Sequence, residues 1–133
     1  MCGVPQGSIL GPKLFILYIN DISKISRKLN CIRFADDTNI FCCGNDLKTQ
    51  CDSMSLELNK LNEWFAEYKL SLNISKTSFM IFSKRKIDSN VQIQINNYCL
   101  ERVFVTKFLG VLIDSELNWK AQIASVYKKC VEI

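Results

Sequence analysis

Two adjacent carboxylates, Asp36 and Asp37, are the sharpest chemical feature of this 133-residue sequence. They separate two β-prone runs, Cys31-Ile32-Arg33-Phe34-Ala35 before them and Thr38-Asn39-Ile40-Phe41-Cys42-Cys43 after. That pattern predicts a hairpin with both carboxylates at its tip. Flanking strands held by their apolar residues would fix the two groups rigidly. Rigid oxygen ligands that leave coordination positions open are what Mg²⁺ requires in phosphoryl-transfer sites. An ordinary polar turn explains the same two residues without a metal. With seven Asp in the chain, adjacency alone decides nothing.

The run Gly3-Val4-Pro5-Gln6-Gly7-Ser8-Ile9-Leu10-Gly11-Pro12 is the second feature. Its glycines let the backbone approach a flat or charged ligand. Amides ahead of a helix can donate to a phosphate or a base. The Gln6 side chain offers both a donor and an acceptor to a base or sugar edge. Taken alone, the run also reads as a plain loop. A third feature, Lys84-Arg85-Lys86, is a phosphate-binding candidate or a solvated loop.

The elements that would position these groups follow from spacing. After Pro12, apolar residues at Phe15, Tyr18, Ile22, Ile25 and Leu29 predict a helix with one buried face. Asp46 offers an N-cap, and from there Leu47, Cys51, Met54, Leu58, Leu61, Phe65 and Tyr68 alternate gaps of four and three. This predicts a long amphipathic helix ending near Lys69, packed on a sheet in preference to pairing as a coiled coil. Short apolar runs then follow: Ser78 to Ser83, then Val91, Ile93 and Ile95 before an Asn96-Asn97 turn, then Tyr98 to Thr106 and Phe108 to Ile113. Ser115 is placed to cap a last helix with Trp119, Ile123, Val126, Cys130 and Ile133 on one side. The fold class expected is α+β, a mostly antiparallel sheet with helices packed on one face.

Composition excludes other chemistry. The chain is 15.3 kDa, 48% hydrophobic and 23% charged, which suits one domain with a real core rather than a disordered linker. There is no His, so no Ser-His-Asp or Cys-His pair and no imidazole metal site can form from these residues. The seven Cys have no Cys-x-x-Cys spacing and read as reduced thiols in small apolar packing roles. The net charge is +4, unevenly spread. Residues 1–33 hold five basic and one acidic residue, 34–75 three and seven, and 76–133 nine and five. An acidic middle between basic ends suits a site that holds cations and grips an anionic polymer, and equally suits an acidic helix surface. The sequence shows no signal peptide and no apolar span long enough for a membrane, so an intracellular site, cytoplasmic or nuclear, is expected.

Taken in order, the blocks GVPQGSILGP with LFILYINDI, RFADDTNIF, NEWFAEYKLSLNISKTSFMIF and FLGVLID, with Trp119 beyond it, resemble the reverse transcriptase of non-LTR (LINE-type) retrotransposons. The blocks cover about residues 3 to 119 and occur in the family's order. The resemblance implies a polymerase palm, with residues 1–133 a partial reverse transcriptase domain and a thumb-like helix starting from about 116. It implies templated addition of deoxynucleotides to a DNA primer on an RNA template, with two Mg²⁺ ions. Asp36 and Asp37 then become metal-binding catalytic carboxylates, Asp36 the more direct ligand. Gln6, Gly7 and Ser8 lie in the block that contacts the incoming nucleotide and the template. Lys76 falls where a lysine assists the leaving pyrophosphate. Phe108, Leu109 and Gly110 resemble the turn that grips the primer end.

The family fold also carries an essential Asp on a strand upstream of the GVPQG block, and here Met1 stands two residues before Gly3. Two-metal catalysis needs carboxylates from separate strands. Asp21 is predicted helical and Asp114 lies past the FLGV strand, so neither is placed to substitute. The expectation is an incomplete palm, inactive by itself, with an unpaired sheet edge and an uncovered apolar face that lower its stability. The alternatives are a non-catalytic nucleic-acid-binding module derived from a reverse transcriptase, and a chain that complements a separate amino-terminal polymerase segment.

Overall fold

The computed structural model describes residues 7–34, 37–88 and 90–131. The chain forms two compact units, Met1–Leu72 and Asn73–Ile133. Helices and small sheets alternate in both, so the α+β class holds.

In the first unit, helix α1 spans Gly11–Tyr18 and strands β1 and β2 span Asn30–Phe34 and Asp37–Phe41, followed by helix α2 at Leu47–Glu67. Pro12 sits in the first turn of α1, where its missing N–H costs nothing. The single long helical face expected from Phe15 to Leu29 does not form. After Tyr18 the chain tightens into a 3-10 turn, Asn20–Lys24. Three residues per turn then align Ile19, Ile22 and Ile25, linked by Ile22 N–H to Ile19 O at 3.2 Å and Ile25 N–H to Ile22 O at 3.4 Å. Ile19 and Ile22 are buried, while Tyr18 remains about half exposed.

Helix α2 matches its spacing. The Asp46 carboxylate accepts the Thr49 N–H at 2.9 Å and also the Thr49 hydroxyl, which holds this carboxyl below the usual carboxylate range. Cys51, Met54, Leu58 and Leu61 are buried. Glu57 is buried on the same helix, a position that apolar spacing does not reveal. Its carboxylate accepts from the Lys60 ammonium at 2.8 Å, and the Ser26 hydroxyl is a further partner; both hold its pKa below the ordinary value. Near the end of α2, Trp64 and Tyr68 stack at 4.3 Å.

The second unit contains β3 (Ser78–Phe79), β4 (Gln94–Ile95), β5 (Tyr98–Cys99), β6 (Glu101–Arg102), β7 (Val105–Phe108), β8 (Val111–Asp114) and helix α3 (Lys120–Val131). The expected continuous, mostly antiparallel sheet is replaced by two-stranded pairs: β1–β2, β4–β5 and β7–β8 antiparallel, β3–β6 parallel. Strands β3, β4, β5 and β6 are two residues each and offer too few backbone groups to recruit a third neighbour. Asn96 and Asn97, both at positive φ, turn β4 into β5 as their residue types predict. Ile93, Ile95 and Leu100 are the buried apolar residues here, joined by Leu100 N–H to Ile93 O at 2.9 Å.

The start of α3 also differs from expectation. Asp114, not Ser115, organises it, and the helix begins at Lys120. Its apolar side is not buried: Ile123, Val126, Tyr127 and Val131 are all exposed. Cys51 has the packing role expected of the thiols, and burial pushes the half-buried Cys31 and Cys42 thiols up. Cys43, Cys99 and Cys130 are exposed, on a strand exit, a two-residue strand and the open side of α3, and the Cys99 thiol has the Gln94 and Gln92 side chains as hydrogen-bond partners. Among the described residues, no helix is long and apolar enough to cross a membrane.

Candidate functional site

The hairpin forms because β-branched and aromatic residues flank a short polar connection. Its register pairs Asn30 with Phe41, Ile32 with Asn39 and Phe34 with Asp37. Asp37 therefore opens β2 inside the ladder rather than sitting at the tip, and it is exposed. Asp36, like Gln6, lies outside the described residues. Strand alternation puts Asn30, Ile32, Phe34, Asp37, Asn39 and Phe41 on one face, where Ile32, Phe34 and Phe41 are also exposed. The other face carries Cys31, Arg33, Thr38 and Ile40, all half-buried.

Arg33 ties that second face to α1. Its Nη1 donates to the Ile19 carbonyl at 2.6 Å, so a cation satisfies an acceptor at the helix C-terminal end. A shallow cavity of about 290 Å³ lies at this junction, lined by Ile16, Ile19, Cys31 and Arg33. It is on the face opposite Asp37 and so is not a pocket for the carboxylate's ligand. Tyr18 anchors the same end of α1 to α2: its hydroxyl donates to the Tyr68 carbonyl at 2.6 Å and its ring meets Tyr68 edge-on at 5.5 Å. Sequence reasoning missed Arg33. Its signal was a lone cation alternating with apolar residues on a strand.

Gly7 and Ser8 precede α1. Gly7 has φ +85°, and a Cβ there would meet nothing within 4 Å, so backbone conformation rather than space calls for glycine. The Ser8 carbonyl accepts the Gly11 N–H at 3.3 Å, leading the chain into the helix. Gly7, Ser8 and Asp37 thus belong to one unit, with Arg33 linking the strand before Asp37 to the helix after Ser8.

Lys76 and Phe108–Gly110 belong to the second unit. Lys76 closes a 3-10 turn, Ile74–Lys76, and is exposed. Asn73 builds that turn: its carbonyl accepts the Lys76 N–H at 3.2 Å and the Thr77 hydroxyl at 2.8 Å. Phe108 pairs with Val111 across a two-residue connection, Leu109 and Gly110. Both are at positive φ, 47° and 88°, as the tightest hairpin turn demands. Glycine meets that demand freely, and leucine does not. Leu109 is nevertheless there, with its side chain 54% exposed.

Asp114 is the second residue that sequence reasoning undervalued. Its carboxylate accepts the N–H groups of Glu116 and Asn118 at 3.1 Å each and of Trp119 at 2.9 Å. These backbone donors, Asn118 foremost, hold its pKa below the usual carboxylate range. The loop so gathered leads into α3, whose Gln122 Oε1 accepts the Leu112 N–H at 2.8 Å and covers the outer edge of β8. The signal was an Asp followed by Ser115, Glu116 and Asn118, three polar residues among the five positions before a helix. Among the described residues no three His, Cys, Asp or Glu side chains cluster as a metal site.

The family described as reverse transcriptase (RNA-dependent DNA polymerase) matches residues 1–113. The RNA-directed DNA polymerase from mobile element jockey of Drosophila funebris is 26% identical over 131 residues, which cover 93% of this chain and 14% of that protein. The probable RNA-directed DNA polymerase from transposon X-element of Drosophila melanogaster is 28% identical over 129 residues, 93% of this chain and 14% of that protein. That from transposon BS of the same species is 24% identical over 138 residues, 98% and 15% respectively. The chain therefore spans about one seventh of the length of these curated relatives. No solved structure matches it.

Proposed function

This chain belongs to the reverse transcriptase family, in its non-LTR (LINE-type) retrotransposon branch, and we propose that its β1–β2 hairpin supplies catalytic carboxylates for RNA-directed DNA polymerisation. In that reaction the primer 3′-oxygen forms a bond to the α-phosphorus of a deoxynucleotide while the bond to the β-phosphate oxygen breaks and pyrophosphate leaves. The observation that carries the reading is Asp37 on the exposed face of a hairpin anchored through Arg33. A fixed strand holds its carboxylate where a polyanionic substrate can reach it.

The donor chemistry fits Mg²⁺, which is held by one or two carboxylates and substrate phosphates rather than by an all-protein cage. Asp37 and, by family resemblance, Asp36 would hold the two ions. When bound, Mg²⁺ neutralises charge developing on the transferring phosphoryl group. Gln6, Gly7 and Ser8 position nucleotide and template in this reading. The exposed Lys76 ammonium offsets charge on the departing pyrophosphate, and the Phe108–Gly110 turn bears on the primer end. The hairpin and its helices are read as palm, with α3 opening a thumb-like element.

The proposal includes a missing part. Asp21 is paired with Lys24 at 2.6 Å and Asp114 is occupied by three backbone N–H groups. In this reading a further carboxylate strand, as the family resemblance implies, comes from polypeptide outside these 133 residues. The test is primer extension on an RNA template with Mg²⁺, using the chain alone and with an upstream polymerase segment from a related element. Extension only in the mixture is the expected result. Extension by the chain alone overturns the incompleteness, and silence in every mixture of folded components overturns the polymerase reading.

A further inference from the structure

A buried carboxylate on α2 has no task in the polymerase reading, and we infer that Glu57 is a positioning residue for the hairpin that carries Asp37. Its catalytic consequence presupposes that reading, while its geometry stands on contacts within the first unit.

Glu57 is 5% exposed, although a carboxylate gives up strong hydration when it is buried. Its place on α2 is one edge of the arc formed by Met54, Leu58 and Leu61, all buried. Lys60, about a turn further on and itself more than half exposed, reaches back to Glu57 Oε1 at 2.8 Å. An apolar side chain of similar volume would spare the desolvation cost, and replacing a buried ion pair in that way is often neutral or stabilising. Stability alone therefore does not account for a glutamate here.

Its second partner does. Ser26 is also buried and lies between the 3-10 segment and β1. A hydroxyl has one proton to give and can accept twice. Ser26 Oγ accepts the Lys28 N–H at 3.1 Å, which shapes the turn, and its proton goes to the Glu57 carboxylate. Asn30, the first residue of β1, follows directly from that turn. Further along β1, Arg33 donates to the Ile19 carbonyl at 2.6 Å. The chain from Ile19 to Arg33 is thus a loop fastened at its base by Arg33 and at its middle to α2 by Glu57. Ile22, buried within it, supplies attraction without direction. The two polar ties supply the direction. Strand side chains alternate, so a one-residue shift of β1 would reverse which hairpin face meets α1, and with it the side on which Asp37 stands.

The experiment is amide hydrogen exchange of the full chain followed by NMR, with thermal melting and nucleotide incorporation measured in parallel. Incorporation uses the chain supplemented with an upstream polymerase segment. The variants are Glu57→Leu, Glu57→Gln, Ser26→Ala, the double Ser26→Ala/Glu57→Leu, and Glu63→Leu as a control at an exposed position of α2. Glu57→Leu is expected to keep the melting temperature within about two degrees or to raise it. Its β1–β2 amides are expected to exchange about tenfold faster than in wild type, with α2 amides unchanged. Ser26→Ala gives the same acceleration, and the double variant adds nothing to it. Glu57→Gln keeps an oxygen for Ser26 and holds the hairpin within about threefold of wild type. In the supplemented mixture Glu57→Leu lowers kcat about tenfold or more and leaves the nucleotide KM within about twofold. The control moves none of these quantities.

Unchanged hairpin exchange in folded Glu57→Leu overturns the proposal. Equal acceleration in α2 and the hairpin, with a lower melting temperature, also overturns it, since that is the mark of a merely structural residue. Faster hairpin exchange with undiminished incorporation overturns the positioning role in the reaction. Silence of the wild-type mixture contradicts the polymerase reading and takes the catalytic consequence with it. The exchange rates still judge the geometry in that case, so the two failures are separable.

Discussion

At the scale of single residues, Asp114 shows how a carboxylate within a catalytic-family block can serve architecture. Three backbone N–H groups converge on it, and the Ser115–Trp119 connection wraps around the charge. Its folded pKa is below its ordinary value near 3.8, so the stability it contributes is fully present above that pH. The contribution is lost as pH falls through the lower, folded pKa. Asp114→Ala is therefore expected to lower the melting temperature by several degrees at neutral pH, with a smaller effect in acid where the wild type has already lost the same interaction. Melting curves from neutral to strongly acidic pH check this, and an effect that grows on acidification would contradict it. The contrast with Asp37 is physical. Asp114 is buried and saturated with donors, whereas Asp37 opens a strand on an exposed face.

At the scale of elements, the β7–β8 turn places a leucine where its backbone is unfavourable. An L-residue other than Gly, Asn or Asp at positive φ costs roughly 1–2 kcal/mol. Leu109→Asn is expected to stabilise the hairpin by about 1 kcal/mol, read by denaturant midpoint. If the turn bears on the primer end, the same variant loses primer-extension activity while it gains stability. Loss of both together would contradict that division.

Elements also show what the sequence makes legible. The gaps of four and three from Leu47 to Tyr68 predict α2 because one helical face buries Cys51, Met54, Leu58 and Leu61. The hairpin and the Asn96-Asn97 turn are legible because their residue types have few other uses. The end of α1 at Tyr18 is not legible, since Ile19 and Ile22 satisfy a 3-10 turn with the same residue types that would continue a helix. Nor is the parallel β3–β6 pair, whose partners are 23 positions apart in sequence with no helix among the described residues between them.

At the scale of the whole molecule, four sequence blocks in family order carried the functional assignment further than any one site could. The match over residues 1–113 agrees with it, and the blocks fall on the hairpin, on turns and around helices. Asp36 and Gln6 lie outside the described residues, so their roles rest on resemblance, while what Arg33 and Asp114 hold together is seen in their three-dimensional contacts. Each unit leaves large apolar side chains exposed, among them Leu17 and Phe34 in the first and Tyr127 and Val131 in the second. Such surfaces favour burial against further polypeptide over an isolated monomer. The reading as part of a larger polymerase accounts for them together with the exposed carboxylate. The most direct test is nucleotide incorporation by the chain supplemented with an upstream polymerase segment, comparing the wild type with Asp36→Asn and Asp37→Asn in otherwise identical mixtures. Incorporation in the wild-type mixture that falls at least about a hundredfold in Asp36→Asn, with a loss in Asp37→Asn as well, is the predicted result. Wild-type incorporation that survives both substitutions would contradict the assignment of the hairpin as the catalytic carboxylate site.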